Sequence, residues 1–309
     1  MSTSNELPPY LTESTYVVDA NNELEMARLL HQAYLLTQHM GGLFPERPDL
    51  SNIHDVLDIA CGPGGWVIQV AQAYPHLEVT GIDLSIRMVM YARAQALVHG
   101  LSNARFRLMD ALKPLDFPDQ SFDLVNARLL FAFMPPAAWP GLIQECMRIL
   151  RPGGVIRLTE CELPISNSPA VERLNALTTR TFQAAGKSFS PDGRHVGIVP
   201  MLGRLLREAS CQHMQQMAQV LDVSAGPENE EVHKGFYQDY MLSFQLGRAF
   251  LLKYGGVSEE EYDRLYQQVA VEMLADDFCA IQFFLTVWGE KPEQVKSEKQ
   301  GRDPLSEEN

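Results

Sequence analysis

Val56-Leu57-Asp58-Ile59-Ala60-Cys61-Gly62-Pro63-Gly64-Gly65-Trp66 decides the fold. A short apolar run carries one acid and ends in glycines. Val67, Val70, Ala71 and Tyr74 then recur at helical spacing. That order is strand, tight turn and helix, the opening unit of a nucleotide-binding α/β sheet.

Downstream the pattern repeats. Residues 77–83 read as a second strand ending in Asp83, and Ser85 caps a helix that Gly100 closes. Residues 105–110 form a third strand ending in Asp110, and 122–126 a fourth. A helix over 137–150 leads to a turn at Arg151–Gly154 with a strong stop, and 155–160 form a fifth strand. Strands alternating with helices predict a parallel, doubly wound sheet.

Upstream, Asn21 or Asn22 caps a helix that runs to Gly41-Gly42. Residues 1–20 read as an extended arm; Leu7-Pro8-Pro9-Tyr10 looks like a motif of nucleic-acid methylases but stands before the first strand, where it is a decoy. Beyond 160 the rhythm changes. Helices are expected at 169–185 and 200–209, with a polar loop between them and a strand at 213–223. A helical block at 229–275 breaks at Gly255-Gly256, and Phe278–Trp288 is a long apolar strand. Residues 290–309 have almost no apolar content and read as disordered. The expected units are therefore an arm and lid helix (1–50), one α/β domain (51–289) and a tail (290–309).

The dinucleotide fingerprint needs a third small residue, and this chain has Val67 there. Asp58 on the strand itself is of little use beside a pyrophosphate and suits a cationic ligand. S-adenosylmethionine is such a ligand, with an ammonium, a sulfonium and no phosphate. Asp83, at the end of the second strand, is placed to accept both ribose hydroxyls. Asp110 can accept the adenine amino group while the Ala111 amide bonds a ring nitrogen.

Residues 55–160 strongly resemble class I S-adenosylmethionine-dependent methyltransferases of the ubiquinone/menaquinone and small-molecule type. DVLDIACGPGG looks like their glycine motif and VTGIDLS like their ribose motif. FRLMDALKPLDFPDQSFDLVNARLL looks like their adenine motif with loop and fourth strand, and ECMRILRPGGVIRLTE like their fifth-strand approach. One departure is Ala60, where many members have glycine. The resemblance implies a Rossmann-like α/β sheet of seven strands, the last antiparallel, with an N-terminal helical lid and a helical insertion between strands six and seven. It places Ala60, Cys61, Gly62, Gly64, Leu84, Met88, Met109 and Ala111 at the cofactor, with Asn126, Ala127 and Arg128 after the fourth strand. It also implies that Tyr16, Arg28 and Gln32 close over the methionine end.

The totals narrow the function. At 46% apolar and 21% charged the chain can bury a sizeable core. A formal charge of −14 shows no basic footprint for nucleic acid. No stretch is long and apolar enough to span a membrane, and the first residues lack a secretory pattern, so a cytoplasmic protein is expected. The five cysteines, at 61, 146, 161, 211 and 279, have neither zinc nor disulfide spacing and read as buried or half-buried thiols. No metal is expected, and the protein is expected to be a monomer or homodimer.

Methyl transfer is an in-line displacement in which the protein aligns the partners and excludes water. An acceptor hydroxyl can need a base. His195 and Glu160 are the first candidates, followed by Glu162, His31, Tyr34 and Asp222, each set against an ordinary structural role. Carbon methylation of an activated ring needs less help. Phe236, Tyr237, Tyr240, Phe244, Phe250 and Tyr254 in the insertion favour an apolar or aromatic acceptor, although aromatics at helical spacing are commonly core. The rival readings are a cyclase-like enzyme that binds the same cofactor without methylating, a non-catalytic binding protein, and a nicotinamide dehydrogenase.

Overall fold

The computed structural model describes residues 16–19, 22–47 and 49–293. Leu7–Tyr10, Asn21 and the tail from 294 onward lie outside the described residues.

The strand of the opening motif is β1 (Asp55–Ile59), and its helix is α2 (Gly65–Ala73). Before them comes α1 (Glu23–His39), where the Asn22 side chain accepts from the Leu24 amide. Four further strands follow in parallel: β2 (Glu78–Asp83), β3 (Ala104–Leu108), β4 (Phe122–Arg128) and β5 (Leu150–Cys161). Helices α3 (Ile86–Val98) and α4 (Trp139–Ile149) connect them. The two-residue β6 (Ile165–Ser166), α5 (Pro169–Ala184), α6 (Leu202–Glu208) and β7 (Gln212–Asp222) come next. The chain closes with α7 (Glu230–Tyr254), α8 (Glu259–Met273) and β8 (Ala280–Glu290).

The sheet order is β3-β2-β1-β4-β5-β8, and β8 runs antiparallel to β5 and β7. β6 continues the β5 ladder on β8, since Cys161 faces Phe284 and Ile165 faces Ile281. This is the expected Rossmann-like arrangement with its last strand antiparallel and α7 and α8 inserted before it. The strand order reverses between β1 and β4. There the two crossovers diverge and leave a crevice at the carboxyl ends.

Strand alternation divides the core. Leu57, Ile59, Val125, Ile156 and Leu158 face the cluster that includes Leu142 and Ile143 of α4 and Leu202 of α6. Val56, Val79, Leu124 and Val155 face the other, with Trp66 and Val67 of α2 and Ala92 of α3. A third cluster joins Leu36 and Met40 at the end of α1 to α5, α7 and α8. Each fully buried large side chain contributes about 1.5–3 kcal/mol.

Two expectations need correcting. Arg151–Gly154 does not stop the chain before the fifth strand; β5 runs through it. Phe122 pairs with Leu150 and Leu124 with Val155, so the extra residues are absorbed in an irregularity of the ladder. Of the cysteines, Cys61, Cys146, Cys161 and Cys211 are buried, but Cys279 is exposed.

Gly64 owes its identity to packing. Its φ is +83°, and a Cβ there would lie 2.7 Å from the Phe106 ring and 2.8 Å from Ala92. Gly64→Ala should lower stability by about 1–3 kcal/mol through overpacking. Thermal melts of the two proteins check this, and an unchanged midpoint would refute it.

Candidate active site

A cavity of about 720 Å³ opens at the carboxyl ends of β1, β2 and β4, beneath α1 and α7. Asp58, Ala60, Cys61 and Gly62 form one corner, joined by Asp83, Leu84 and Met88 and by Met109, Asp110 and Ala111. Tyr16 and Arg28 line the roof and Arg128 the wall. With Gln32, which also lines the cavity, these are fourteen of the seventeen cofactor positions expected from sequence. The other three stand back from the cavity. Gly64 faces α3 and β3, while Asn126 and Ala127 are buried within β4.

Two backbone conformations mark the same rim. Ala60 has φ +54° and Leu129 φ +57°, and both line the cavity. The left-handed region costs a residue with a Cβ about 1–2 kcal/mol. Such strain clusters where the chain is shaped around a ligand.

The turn is closed by its own acid. Asp83 Oδ2 accepts from the Gly62 amide at 2.9 Å, and Oδ1 accepts from the Ser85 amide at 2.8 Å. The Cys61 amide donates to Ile82 O and the Gly64 amide to Cys61 O. A pyrophosphate site offers free amides at this turn. Here these three are engaged, and the corner adds three carboxylates, from Asp58, Asp83 and Asp110. That set of acceptors, with the turn's amides already engaged, suits a cationic adenosine compound better than a phosphorylated one. Burial raises the Asp83 carboxyl while the amides of Ser85, Gly62 and Leu84 pull it back. Asp110 Oδ1 accepts from Leu112 N at 2.9 Å, and Lys113 lies 3.5 Å from Oδ2.

Asp58 is held from behind. Strand register aligns it with Asn126 on β4, and Asn126 with Arg157 on β5. Asn126 Nδ2 donates to Asp58 Oδ1 at 2.7 Å, and Arg157 Nη1 donates to Asn126 Oδ1 at 2.8 Å. Arg157 also pairs with Glu46 in the linker between α1 and β1. All four side chains are buried. Burial pushes the Asp58 carboxyl up to about 6, against the opposing pull of Arg128, Asn126 and Arg157. Arg128 lies over the Trp66 ring, 5.6 Å from its centroid, and burial pushes its guanidinium down to about 10 against the pull of Asp58.

The roof is joined by charge. Arg28 Nε and Nη2 donate to Glu25 at 2.8 and 2.7 Å, and Nη1 donates to Asp239 of α7 at 2.8 Å. Tyr16 donates its hydroxyl to Glu25 at 2.6 Å, and Gln32 donates to Asp239 at 3.2 Å. Glu25 is fully buried. Burial raises the Asp239 carboxyl, and Arg28 opposes that rise.

The two first-choice bases are elsewhere. His195 is exposed on its loop and does not line the cavity. Glu160 is buried behind the wall, where Oε1 accepts from the Leu130 amide at 2.7 Å. Burial pushes it up to about 8, so it is largely neutral at pH 7. Its strand parity turns it away from the cavity, and its neighbour Cys161 faces in. His31, Tyr34 and Asp222 also stand off the wall. Glu162 lines it, with both carboxylate oxygens engaged by the Val196 and Gly197 amides at 2.7 Å.

The far half of the cavity is built by α5, α7, β7 and β8. Phe182, Phe236, Tyr240, Phe244, Phe250 and Phe284 supply its surface. Tyr237 and Tyr254 do not line it. Sequence reasoning missed Asp239 and Gln282 on this side and Arg157 and Glu46 behind Asp58. A signal existed for two of them: Arg157 is a charge inside an apolar strand, and Asp239 is an acid among aromatics at helical spacing. Among the described residues there is no cluster of His, Cys, Asp and Glu that could hold a metal ion, and no helix is long and apolar enough to cross a membrane.

Comparison with known proteins agrees with this geometry. A family described as "Methyltransferase domain" matches residues 56–154. Trans-aconitate 2-methyltransferase of Deinococcus radiodurans is 32% identical over 160 residues, 52% of this chain and 55% of that protein. Demethylmenaquinone methyltransferase of the same organism is 38% identical over 111 residues, 36% of this chain and 44% of that protein. The matches thus span about half the length of these relatives. A phosphoethanolamine N-methyltransferase 2 from Haemonchus contortus, solved with phosphomonomethylethanolamine and S-adenosylhomocysteine, shares the fold. Its TM-score is 0.52 at 17% identity, covering 90% of this chain and 61% of that one.

Proposed function

We propose, for a chain that carries a class I S-adenosylmethionine-dependent methyltransferase domain, that it transfers the methyl group of S-adenosylmethionine to a small, uncharged apolar or aromatic acceptor. The observation that carries the cofactor half is the glycine turn, whose amides are engaged and whose corner holds three carboxylates. When bound, S-adenosylmethionine supplies a methyl group on a sulfonium, already a good leaving group.

The residues of the chain do the rest. Asp83 keeps lone pairs for two ribose hydroxyls beside the Gly62 and Ser85 amides it already accepts. Asp110 and the Ala111 amide read the adenine edge, with Leu84 and Met88 on its faces. Asp58 faces the ammonium. Tyr16, Arg28 and α7 roof the site and exclude water, which strengthens every charge interaction inside it.

The acceptor side is supported by what its wall carries. Among the described lining residues contributed by α5, α7, β7 and β8 there is no Lys, Arg or His, and the one charged group is Asp239. An anionic acceptor would find no counter-ion on those elements, and Arg28 of the roof is already paired with Glu25 and Asp239. Relatives named for trans-aconitate and for demethylmenaquinone mark the two extremes, a polycarboxylate and an apolar quinol precursor. This wall favours the second kind. With Glu162 and Asp239 engaged by donors, alignment rather than a dedicated base is expected to carry the rate.

The test is a mass-based screen with S-adenosylmethionine and matched acceptor pairs, each a neutral phenol or quinol and its carboxylated analogue. Methylated product should come from the neutral members, at least about tenfold faster in kcat/KM, equivalent to ~1.4 kcal/mol. Preference for the carboxylated members would overturn the acceptor assignment. Absence of cofactor binding in calorimetry would overturn the whole reading.

A further inference from the structure

Three strands place a polar row in register behind the cavity. Asp58, Asn126 and Arg157 are neighbours across β1, β4 and β5, and their side chains are linked end to end. The row does not end in the sheet. Arg157 pairs with Glu46, and its guanidinium lies 6.0 Å from the Phe44 ring centroid. Phe44 in turn packs edge-on against Trp66 of the glycine-motif helix at 5.4 Å. A buried Arg–Glu pair is a weak source of stability in itself. Here its far side reaches Asp58, a carboxylate that lines the cavity from within β1.

We propose that Arg157, counter-charged by Glu46 and acting through Asn126, is a positioning residue that fixes the orientation and charge of Asp58 toward the cationic end of the cofactor. The inference rests on the cofactor assignment above and extends it to residues that touch no ligand. Asn126 donates to Oδ1 of Asp58, which leaves Oδ2 for the cavity. The charge of Arg157 favours the ionised carboxylate, and Glu46 moderates that charge. The other groups acting on Asp58 are Arg128 from β4, Asp83 at the end of β2 and Cys61 on the following turn.

The sign of the effect follows. The ammonium of the ligand prefers ionised Asp58, so affinity should rise with pH through about 6 and then level off. Glu46→Gln keeps a hydrogen-bond partner for Arg157 but removes the opposing charge. Arg157 then acts more strongly on Asp58, and the midpoint moves down. The double variant Glu46→Gln/Arg157→Met removes both charges, and the midpoint moves up by roughly one pH unit.

The experiment is calorimetric titration with S-adenosylhomocysteine across that pH range, on full-length wild type and both variants, with thermal melts as the control for folding. Opposite shifts in the two variants are the expected result, and a role confined to packing would not produce them. Midpoints that stay put, or that move the same way, overturn the relay and leave the cofactor assignment standing. Wild type that binds at no pH overturns the assignment and the relay with it. If the double variant does not fold, the direction of the Glu46→Gln shift decides alone.

Discussion

Asp83→Ala should weaken S-adenosylhomocysteine binding by roughly two to four powers of ten. The carboxylate would lose two charge-assisted hydrogen bonds to the ribose, each worth about 1.5–3 kcal/mol. A second loss comes from the chain itself. Asp83 Oδ2 holds the Gly62 amide and Oδ1 holds the Ser85 amide, so the same carboxylate shapes the turn and caps the approach to α3. Alanine frees both amides, and the turn no longer has one geometry to offer. Asp83→Asn separates the two contributions. It keeps the size and one acceptor but directs an NH₂ at a backbone donor, so its affinity should fall between wild type and alanine. Calorimetry measures all three, with circular dichroism as the check on folding. Full affinity in a folded alanine variant would remove Asp83 from the site.

The front of the sheet was legible in the sequence because β1 runs apolar into a glycine turn and the strands read after it end in Asp83 and Asp110, with helical spacing between them. Parallel strands put their carboxyl ends on one edge, so Asp83 and Asp110 fall together without further information. The base candidates were not legible for a reason of parity. Glu160 stands at the right end of the right strand, but alternate residues point to opposite faces, and Cys161 takes the cavity side. His195 lies on a loop with no periodicity to orient it. Asn126 reads as a site residue by position, yet it is buried inside the sheet and acts on Asp58 from behind.

The roof shows the other kind of omission. Glu25 and Arg28 stand three residues apart on α1, the spacing of an ordinary helix-surface ion pair, yet both are buried. Their burial is created by α7, whose Asp239 is 211 residues away. Asp239 shares a helical stripe with Phe236 and Ser243, which does place it on the cavity face. What no local pattern supplies is its partner. A contact of such sequence separation is decided by packing of the insertion, not by propensity.

Arg28→Met should therefore cost far more than a surface ion pair, about 3–5 kcal/mol, because it leaves two buried carboxylates without their cation. Glu25 would keep the Tyr16 hydroxyl and Asp239 would keep Gln32. Asp239 would hold its proton more tightly than in wild type, since burial already raises it and Arg28 is what opposes that rise. The loss then depends on pH with a definite sign. A carboxyl whose folded value is raised above its unfolded value destabilises the fold once the unfolded chain can ionise, and the penalty grows until the folded group ionises too. The melting difference between variant and wild type should be small near about pH 4 and largest at about pH 8. Replacing all three charges, as Glu25→Gln/Arg28→Met/Asp239→Asn, should recover most of the stability at the higher pH. Melts of the three proteins at the two pH values check this. A loss that is equal at both, or that the neutral triple variant does not relieve, would show that α1 is held to α7 by its apolar contacts, with Leu35 against Gly235, and not by the buried charges.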